Sequence, residues 1–162
     1  MALVDKDLHD RKPNRLKEHD YRANSAYFIT IITKQRAEVF GRIEKGTMVL
    51  SSIGEAAASC IDKIESIYPS VLVETSVVMP NHVHILMHLL DDMENPSIQR
   101  VIQQFKGAVS KQAKYSLWQD RFDDRLVFTA EAYRTIRLYI KANPAKWTED
   151  RFHPAKSPLA KY

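Results

Sequence analysis

The order in which strand-like and helix-like segments follow one another most constrains the fold of this chain. Runs dense in β-branched and aromatic residues are typical of strands. Four such runs predict the main strands of a sheet, at residues 26–33, 71–79, 83–90 and 121–128. Pro80-Asn81 separates the middle two, and residues 38–50 predict a shorter hairpin that turns at Glu44-Lys45-Gly46.

Three helices are predicted between and after these strands, at about residues 52–68, 98–115 and 130–143. Ser51 or Ser52 can cap the first helix, where Glu55 would complete a capping box with Ser52, and Thr129 can cap the third. The apolar stripe of the first helix is Ile53, Ala57, Cys60, Ile61, Ile64 and Ile67. That of the second helix is Ile98, Val101, Ile102, Phe105, Ala108 and Val109.

The segment order predicts an α+β fold of the ferredoxin-like βαββαβ kind, with an extra C-terminal helix at residues 130–143. In such a fold two helices cover one face of an antiparallel sheet and leave the other face free. We expect one domain over residues 1–162, with an N-terminal arm at 1–24 and an irregular C-terminal tail at 145–162. The fold alone does not indicate a function.

Length and composition fit one globular domain: 162 residues, of which 44% are hydrophobic and 27% charged. No apolar run reaches the ~18 residues of a membrane-spanning helix, and the charged first residues lack the apolar centre of a signal peptide. The single cysteine, Cys60, cannot form an internal disulfide, so we expect a cytoplasmic protein. The net charge of +4 permits nucleic-acid binding without requiring it.

A pair of histidines provides the first candidate site. His82 and His84 are two residues apart at the start of a predicted strand, so they point to the same face. Two imidazoles placed in this way can converge on one divalent metal ion. In a chain with six histidines this spacing also arises by chance, so the pair alone does not establish a metal site. His88, on the same face, is either a further ligand or a hydrogen-bonded residue of the strand.

The predicted C-terminal helix provides the second candidate site. Tyr133, Ile136 and Ile140 form its apolar stripe, and Tyr139 lies at the border of that stripe. Asn143 lies one turn after Tyr139 on the same side. A tyrosine hydroxyl can act as a nucleophile and an amide oxygen can bind a metal. The same pattern also fits an ordinary amphipathic helix.

Several segments are more specific in combination than each is alone. They are residues 27–33 and 39–41, 78–86 (VMPNHVHIL), 105–111 (FKGAVSK), Trp118-Gln119 with Arg121-Phe122, and 139–147 (YIKANPAKW). Together they resemble the single-tyrosine transposases of bacterial insertion sequences, especially the REP-associated tyrosine transposases, whose HUH motif is similar to residues 78–86. One departure is Phe128, where relatives often have a basic residue, so a DNA contact is expected to be weakened.

The resemblance implies a role for each matching residue. Tyr139 matches the catalytic tyrosine, His82 and His84 match the two metal-binding histidines, and Asn143 matches a more variable third metal ligand. The implied activity is cleavage and rejoining of single-stranded, hairpin-containing DNA through a 5′-phosphotyrosine intermediate. The implied cofactor is Mg²⁺ or Mn²⁺, although the ligand types would also accept Zn²⁺ or Ni²⁺. The sequence has no phosphate-binding loop motif, so no nucleotide cofactor is expected.

Basic side chains of the second predicted helix are candidate contacts for DNA phosphates. They are Arg100, Lys106, Lys111 and Lys114. A solvated helix face explains each of them equally well. The N-terminal arm also carries basic residues that could reach a hairpin: Arg11, Lys12, Arg15 and Lys17. A homodimer is expected from the free sheet edge, although the resemblance includes relatives that act as monomers.

Three other functions stay open on the sequence alone. The first is a domesticated, non-catalytic nucleic-acid-binding descendant of such a transposase, whose DNA binding would ignore metal and survive loss of Tyr139. The second is a metal-dependent hydrolase that uses water as the nucleophile, with no covalent intermediate. The third is another HUH enzyme, a replication initiator or relaxase, which the short chain without a helicase domain disfavours.

Overall fold

The computed structural model describes residues 25–90 and 96–156, so the predicted N-terminal arm and residues 157–162 of the tail lie outside the described residues. The strands and longer helices, in chain order, are β1 (Ser25–Ile32), β2 (Gly41–Glu44), β3 (Thr47–Leu50), α1 (Ser52–Asp62), α2 (Ile64–Ile67), β4 (Val71–Met79), β5 (His82–Leu89), α3 (Ile98–Ala113), β6 (Asp123–Val127) and α4 (Ala130–Ala142). Short 3-10 helices lie at Lys34–Arg36, Pro144–Glu149 and Pro154–Lys156.

An antiparallel sheet with the spatial order β4-β5-β1-β6 is the centre of the fold. This order is that of a ferredoxin-like βαββαβ fold, so the predicted fold class is confirmed. In the register of β1 with β5, Thr30 is opposite His84 and Ile32 is opposite His82. Residues directly opposite in a sheet share a face. The register therefore sets Thr30 beside His84, on the face that also carries His82.

Helices α1 and α3 cover the other face of the sheet. There β1 and β5 contribute fully buried side chains from alternate positions: Tyr27, Ile29, Ile31, Val83, Ile85 and Met87. Ser51 caps α1 by accepting a hydrogen bond from the backbone N–H of Gly54, and Ser97 caps α3 in the same way at Arg100. Capping fixes where each amphipathic helix begins, and so which of its side chains face the sheet.

Several details of the helices differ from the predictions. The first helix was expected to run unbroken to about Tyr68, but it is interrupted at Lys63, which separates α1 from α2. The cap is Ser51, without the predicted box from Ser52. Ile67 is 58% exposed because α2 is a single short turn. Ala108 is exposed, so it does not belong to the buried stripe of α3.

Helix α4 packs against the face of the sheet that was expected to be free. Phe28 and Leu86 from the sheet and Ile136 and Ile140 from α4 form a second, smaller core. Thr129 caps α4 by accepting a hydrogen bond from the backbone N–H of Ala132, as predicted. Because α4 lies on this face, its border residues come close to the histidines of β5.

Strands β2 and β3 form the predicted hairpin, as a separate two-stranded sheet. Its turn is Lys45-Gly46, with φ of 50° and 76°, and a turn with positive φ at both central residues suits a tight hairpin. In the two ranges that the structure describes, no helix combines the length and apolar character needed to cross a membrane.

Candidate active site

The two histidines of β5 lie side by side and are almost completely buried. Their ring centroids are 4.7 Å apart, and the side chains belong to residues that are 0% (His82) and 2% (His84) exposed. The alternation of the strand puts both rings on the α4 face, as the spacing predicted. The strand therefore brings two nearly buried imidazoles to one place.

Each imidazole is oriented by a hydrogen bond at Nδ1. His82 Nδ1 is 2.8 Å from Oδ1 of Asn81, and His84 Nδ1 is 2.9 Å from Oγ1 of Thr30. The Asn81 amide nitrogen donates to the backbone oxygens of Arg36 and Phe152, so its oxygen faces His82 and can only accept. The proton of His82 is therefore on Nδ1, and Nε2 carries a lone pair. Asn81 and Thr30 were not predicted as site residues.

Burial keeps both rings neutral. Burial, followed by the neighbouring His84, lowers the pKa of His82 well below its usual value, and the nearby Asn143 side chain acts in the opposite direction. No hydrogen bond of ordinary geometry joins His82 to Asn143. Burial, with a smaller contribution from the charge of Arg151, lowers the pKa of His84 to about 3. Neutral imidazole is the form that binds metals.

The C-terminal half of α4 brings Tyr139 and Asn143 to the same site. The ring of Tyr139 is 5.5 Å from the ring of His84 and 6.2 Å from that of Phe28, measured between centroids. Asn143 is 4% exposed and ends the helix. The one-turn spacing of Tyr139 and Asn143 suggested a shared site, and the structure places both residues near the histidines.

Three buried atoms that can act as acceptors lie in this region: Nε2 of His82, Nε2 of His84 and Oδ1 of Asn143. None of them has a hydrogen-bond partner among the described residues. Buried polar atoms without partners cost free energy, and a cation would satisfy these three lone pairs together. Within residues 25–90 and 96–156 no three His, Cys, Asp or Glu side chains form a complete metal site. The donors present fit a divalent ion that keeps positions open for substrate oxygens.

The segment after α4 completes the surroundings of His82, although its sequence predicted only an irregular tail. The Phe152 ring is 4.6 Å from the His82 ring, and the Trp147 ring is 6.2 Å away. Oδ2 of the buried Asp150 is 3.7 Å from Nε2 of His82. The sequence signals for this packing were the aromatic residues Trp147 and Phe152 in a polar, proline-containing tail, the first of them in the matched segment 139–147.

A narrow cavity gives access to the site beside His84. Tyr139, His84 and Arg151 all line it, together with Phe28, Thr30, Asp123 and Phe152. The Arg151 guanidinium carbon lies 4.5 Å from the centre of the Phe152 ring, and its Nη2 is 3.9 Å from Oδ2 of Asp123. The cavity therefore combines a hydroxyl, an imidazole and a fixed positive charge.

Other predicted residues lie elsewhere. Arg100, Lys106 and Lys111 are on α3 and Lys114 is its C-cap, so these residues lie across the sheet from the histidines. Lys106 Nζ donates to the backbone oxygens of Gln119 and Asp120, and burial lowers its pKa. Their role in DNA binding stays a prediction.

Two further predictions concern His88 and the N-terminal arm. His88 Nε2 is 3.0 Å from the hydroxyl of Tyr133, which makes it a hydrogen-bonded strand residue. Arg11, Lys12, Arg15 and Lys17 lie outside the described residues.

Comparison with known proteins shows which relatives and solved structures this chain is similar to. No protein-family profile matches the chain. A Haemophilus influenzae protein of uncharacterised function is 26% identical over 170 aligned residues, which cover 90% of this chain and 94% of the relative. Among solved structures, the REP-associated tyrosine transposase bound to a REP hairpin aligns with a TM-score of 0.65 at 18% identity, over 85% of this chain and 77% of that chain.

A second solved structure, a Deinococcus radiodurans protein provisionally described as a transposase, has a TM-score of 0.49 at 16% identity. It covers 79% of this chain and 95% of its own, and the likeness is too weak to support an inference. The stronger alignment shows that this chain has the fold of the REP-associated tyrosine transposase. The fold expected from the sequence is thus confirmed by this alignment.

Proposed function

We propose that this protein is a single-tyrosine HUH transposase that cleaves and rejoins single-stranded DNA through a phosphotyrosine intermediate. The observation that carries the proposal is one cavity lined by both Tyr139 and His84, beside three buried acceptor atoms without hydrogen-bond partners among the described residues. A nucleophile next to an incomplete ligand set is the arrangement that metal-assisted phosphodiester transfer needs.

Tyr139 is the proposed nucleophile. Its phenolic oxygen forms a bond to the phosphorus of one phosphodiester while the bond from phosphorus to the 3′ oxygen breaks. The phenol proton is lost, the 3′ oxygen takes up a proton, and the protein stays joined to the 5′ side of the strand. A 3′-hydroxyl from another strand then attacks this ester and releases Tyr139, so no nucleotide has to be consumed.

His82, His84 and Asn143 would hold a divalent metal, Mg²⁺ or Mn²⁺, through the three acceptor atoms. When bound, such an ion offsets the negative charge of the phosphate and polarises its phosphorus. Asn81 and Thr30 keep the imidazoles oriented, and Arg151 supplies a positive charge on the wall of the cavity where the phosphate would lie.

The proposed substrate is single-stranded DNA that contains a hairpin. The solved transposase with this fold is bound to a REP hairpin, and the formal net charge of +4 favours a nucleic-acid partner. The basic residues of α3 lie across the sheet from Tyr139, so they would contact DNA outside the cleavage site.

Covalent capture tests the proposal. The full chain is incubated with end-labelled single-stranded DNA that carries hairpins from its own genomic surroundings, with Mn²⁺, and run on a denaturing gel. We expect a labelled protein–DNA adduct that is lost in EDTA and in Tyr139→Phe. Tyr133→Phe is the matched control. It removes the hydroxyl of another tyrosine on α4, which is hydrogen-bonded to His88. It should leave the adduct intact.

The burial of His82 beneath Phe152 favours a second candidate, a DNA-binding descendant without catalysis. DNA binding without any adduct, in the presence of metal, would support that function. Cleavage without an adduct and unchanged in Tyr139→Phe would instead indicate a nuclease that uses water.

A further inference from the structure

Strand β4 contains a β-bulge at Glu74. Val73 and Thr75 pair with successive residues of β5, so Glu74 is an extra residue in the register of the two strands. The bulge reverses the alternation of β4. Val73 packs against the large core beneath α1 and α3, whereas Val77, four residues later, packs against the smaller core beneath α4. In a regular strand residues four apart share a face, and bulges that redirect a side chain are frequent beside active sites.

The bulged residue forms an ion pair with Arg137 of α4. Nε of Arg137 lies 3.2 Å from Oε1 of Glu74, and the two side chains are 40% and 27% exposed. The Nε atom itself is buried. Because β4 is at one end of the strand order of the sheet, the ion pair joins the helix that carries Tyr139 to an edge of the sheet.

Arg137 and Tyr139 lie on nearly opposite borders of α4, since two residues correspond to about 200° around an α-helix. The Arg137 border contacts β4, whereas the Tyr139 ring is 5.5 Å from the His84 ring on β5. Ile136 and Ile140 lie between the two borders and are buried against the sheet. When a helix rotates about its axis both borders move together. Holding Arg137 at β4 therefore also holds Tyr139 beside His84.

Apolar contacts alone define this rotation poorly. The buried residues of the core beneath α4 are few: Phe28, Leu86, Ile136 and Ile140. The hydrophobic effect is non-directional, so a helix on a small apolar patch can roll with little change in buried area. Partly exposed ion pairs contribute little to stability, but a displacement of about 1 Å in a reacting group can lower a rate by about a hundredfold. The ion pair should therefore matter more for position than for stability.

We propose that Glu74 and Arg137 position Tyr139 by fixing the rotation of α4 on the sheet. Neither residue lines the cavity beside His84, so both are positioning residues and not catalytic ones. The inference rests on the proposed function, in which Tyr139 is the nucleophile. It gives the β-bulge a role, because the extra residue directs a carboxylate towards the helix that carries the nucleophile.

The first test is the rate of adduct formation at increasing concentrations of the hairpin-containing single-stranded DNA. We expect Glu74→Gln and Arg137→Gln each to lower the maximal rate by about tenfold to a hundredfold. The half-saturating DNA concentration should stay within about twofold of that of the unaltered protein. The reciprocal exchange, Glu74→Arg with Arg137→Glu, should restore most of the rate that either single exchange loses. Arg134→Gln is the matched control, because it removes an exposed arginine from the same helix, and both quantities should stay unchanged.

A second measurement reports the position of Tyr139 without any reaction. 3-Fluorotyrosine is placed at position 139 of the full chain, and its ¹⁹F resonance is recorded in EDTA without DNA. We expect Glu74→Gln and Arg137→Gln to shift or broaden this resonance, because the ring is no longer held in one place, and Arg134→Gln to leave it unchanged. Circular dichroism and urea unfolding check that each variant is folded.

An unchanged maximal rate in Glu74→Gln would overturn the positioning role. An Arg137→Gln variant that only raises the half-saturating DNA concentration would also overturn it, since Arg137 would then be a DNA contact. If the unaltered protein forms no adduct, the proposed function is wrong, and the ¹⁹F resonance alone decides whether the ion pair holds the Tyr139 ring. A resonance that is the same in the unaltered protein, Glu74→Gln and Arg137→Gln would reject the inference.

Discussion

The two faces of the central sheet are built from alternate residues of the same strands, yet they differ in chemistry. Towards α1 and α3, β5 presents Val83 and Ile85, which pack into a large aliphatic core. Towards α4, the same strand presents His82, His84 and Leu86. The named residues of both faces are 0–2% exposed. The faces therefore differ in the hydrogen-bond partners of their buried atoms and not in their exposure to water.

Stability and chemistry are assigned to opposite faces of the sheet in this fold. Burying an apolar side chain stabilises the fold, whereas burying a polar atom without a partner costs free energy. The aliphatic face stabilises the protein and so offsets the cost of the polar one. Substitutions of neighbouring residues in β5 should therefore separate the contribution of the aliphatic face to stability from that of the polar face to the proposed chemistry.

The largest effect is expected for His84→Ala on the polar face. The rate of adduct formation should fall by about a thousandfold, because several kcal/mol of metal-assisted stabilisation are lost. The free energy of unfolding should fall by less than in a truncation in the aliphatic core. Removal of Nε2, which has no hydrogen-bond partner among the described residues, offsets part of the loss of packing and of the Thr30 hydrogen bond. Gel-based adduct kinetics and urea unfolding measure the two quantities. An unchanged adduct rate would mean that this face takes no part in the chemistry.

The neighbouring substitution Ile85→Ala should have the opposite profile. Ile85 is 0% exposed in the aliphatic core, and its truncation should lower the free energy of unfolding by about 2–5 kcal/mol. Adduct formation by the folded fraction at low temperature should stay within about threefold of the unaltered protein, because the Ile85 side chain lies on the opposite face of the sheet from His84. If adduct formation by the folded fraction falls by much more than threefold, the contributions of the two faces to stability and to activity are not separable.

A smaller effect is expected for Thr30→Val, which keeps the shape of the side chain but removes the partner of His84 Nδ1. Mn²⁺ affinity should fall about 10- to 100-fold, because the imidazole loses the group that orients it. Thr30→Ser keeps the hydroxyl and should stay close to the unaltered affinity. Equal affinities for the Val and Ser variants would show that Thr30 does not position the ring.

The smallest effect is the dependence of stability on pH, measured by urea unfolding in EDTA. The pKa of His84 is lowered to about 3 in the folded protein, against about 6.5 in the unfolded chain. Its contribution to stability is therefore complete above about pH 6.5 and is lost as the pH falls towards 3. His84 alone should account for about 1.4 kcal/mol between pH 7.5 and 5.5, and His82 acts in the same direction.

His84→Gln should flatten this profile, because the substitution removes one of the two titrating rings. A profile as steep in His84→Gln as in the unaltered protein would assign the loss of stability to other groups.

Features encoded in short stretches of sequence were predicted well. The strands that carry the site, the cap Thr129 and the hairpin turn all follow from residue type and local periodicity, because each depends on neighbours in the chain. The placement of His82 and His84 on one face follows from the two-residue repeat of a strand. The interruption at Lys63 has no comparable local signal.

Features that depend on distant parts of the chain were missed. Asp150 and Phe152 meet His82 only because the chain folds back after α4, and nothing in their own neighbourhood specifies that contact. The packing of α4 on the second face of the sheet was missed for the same reason. The basic residues of α3 could likewise not be assigned to one face of the sheet from the sequence alone.

The hydrogen bonds of Asn81 have a consequence for how the protein is made. Its side chain joins positions 36, 82 and 152, which lie far apart along the chain. Contacts between distant positions close large loops and form late in folding. During synthesis the His82 ring therefore gains its final orientation only after residue 152 has left the ribosome and folded back. If the proposed function is correct, a nascent chain that already contains residues 78–86 should therefore be unable to cleave DNA before that moment.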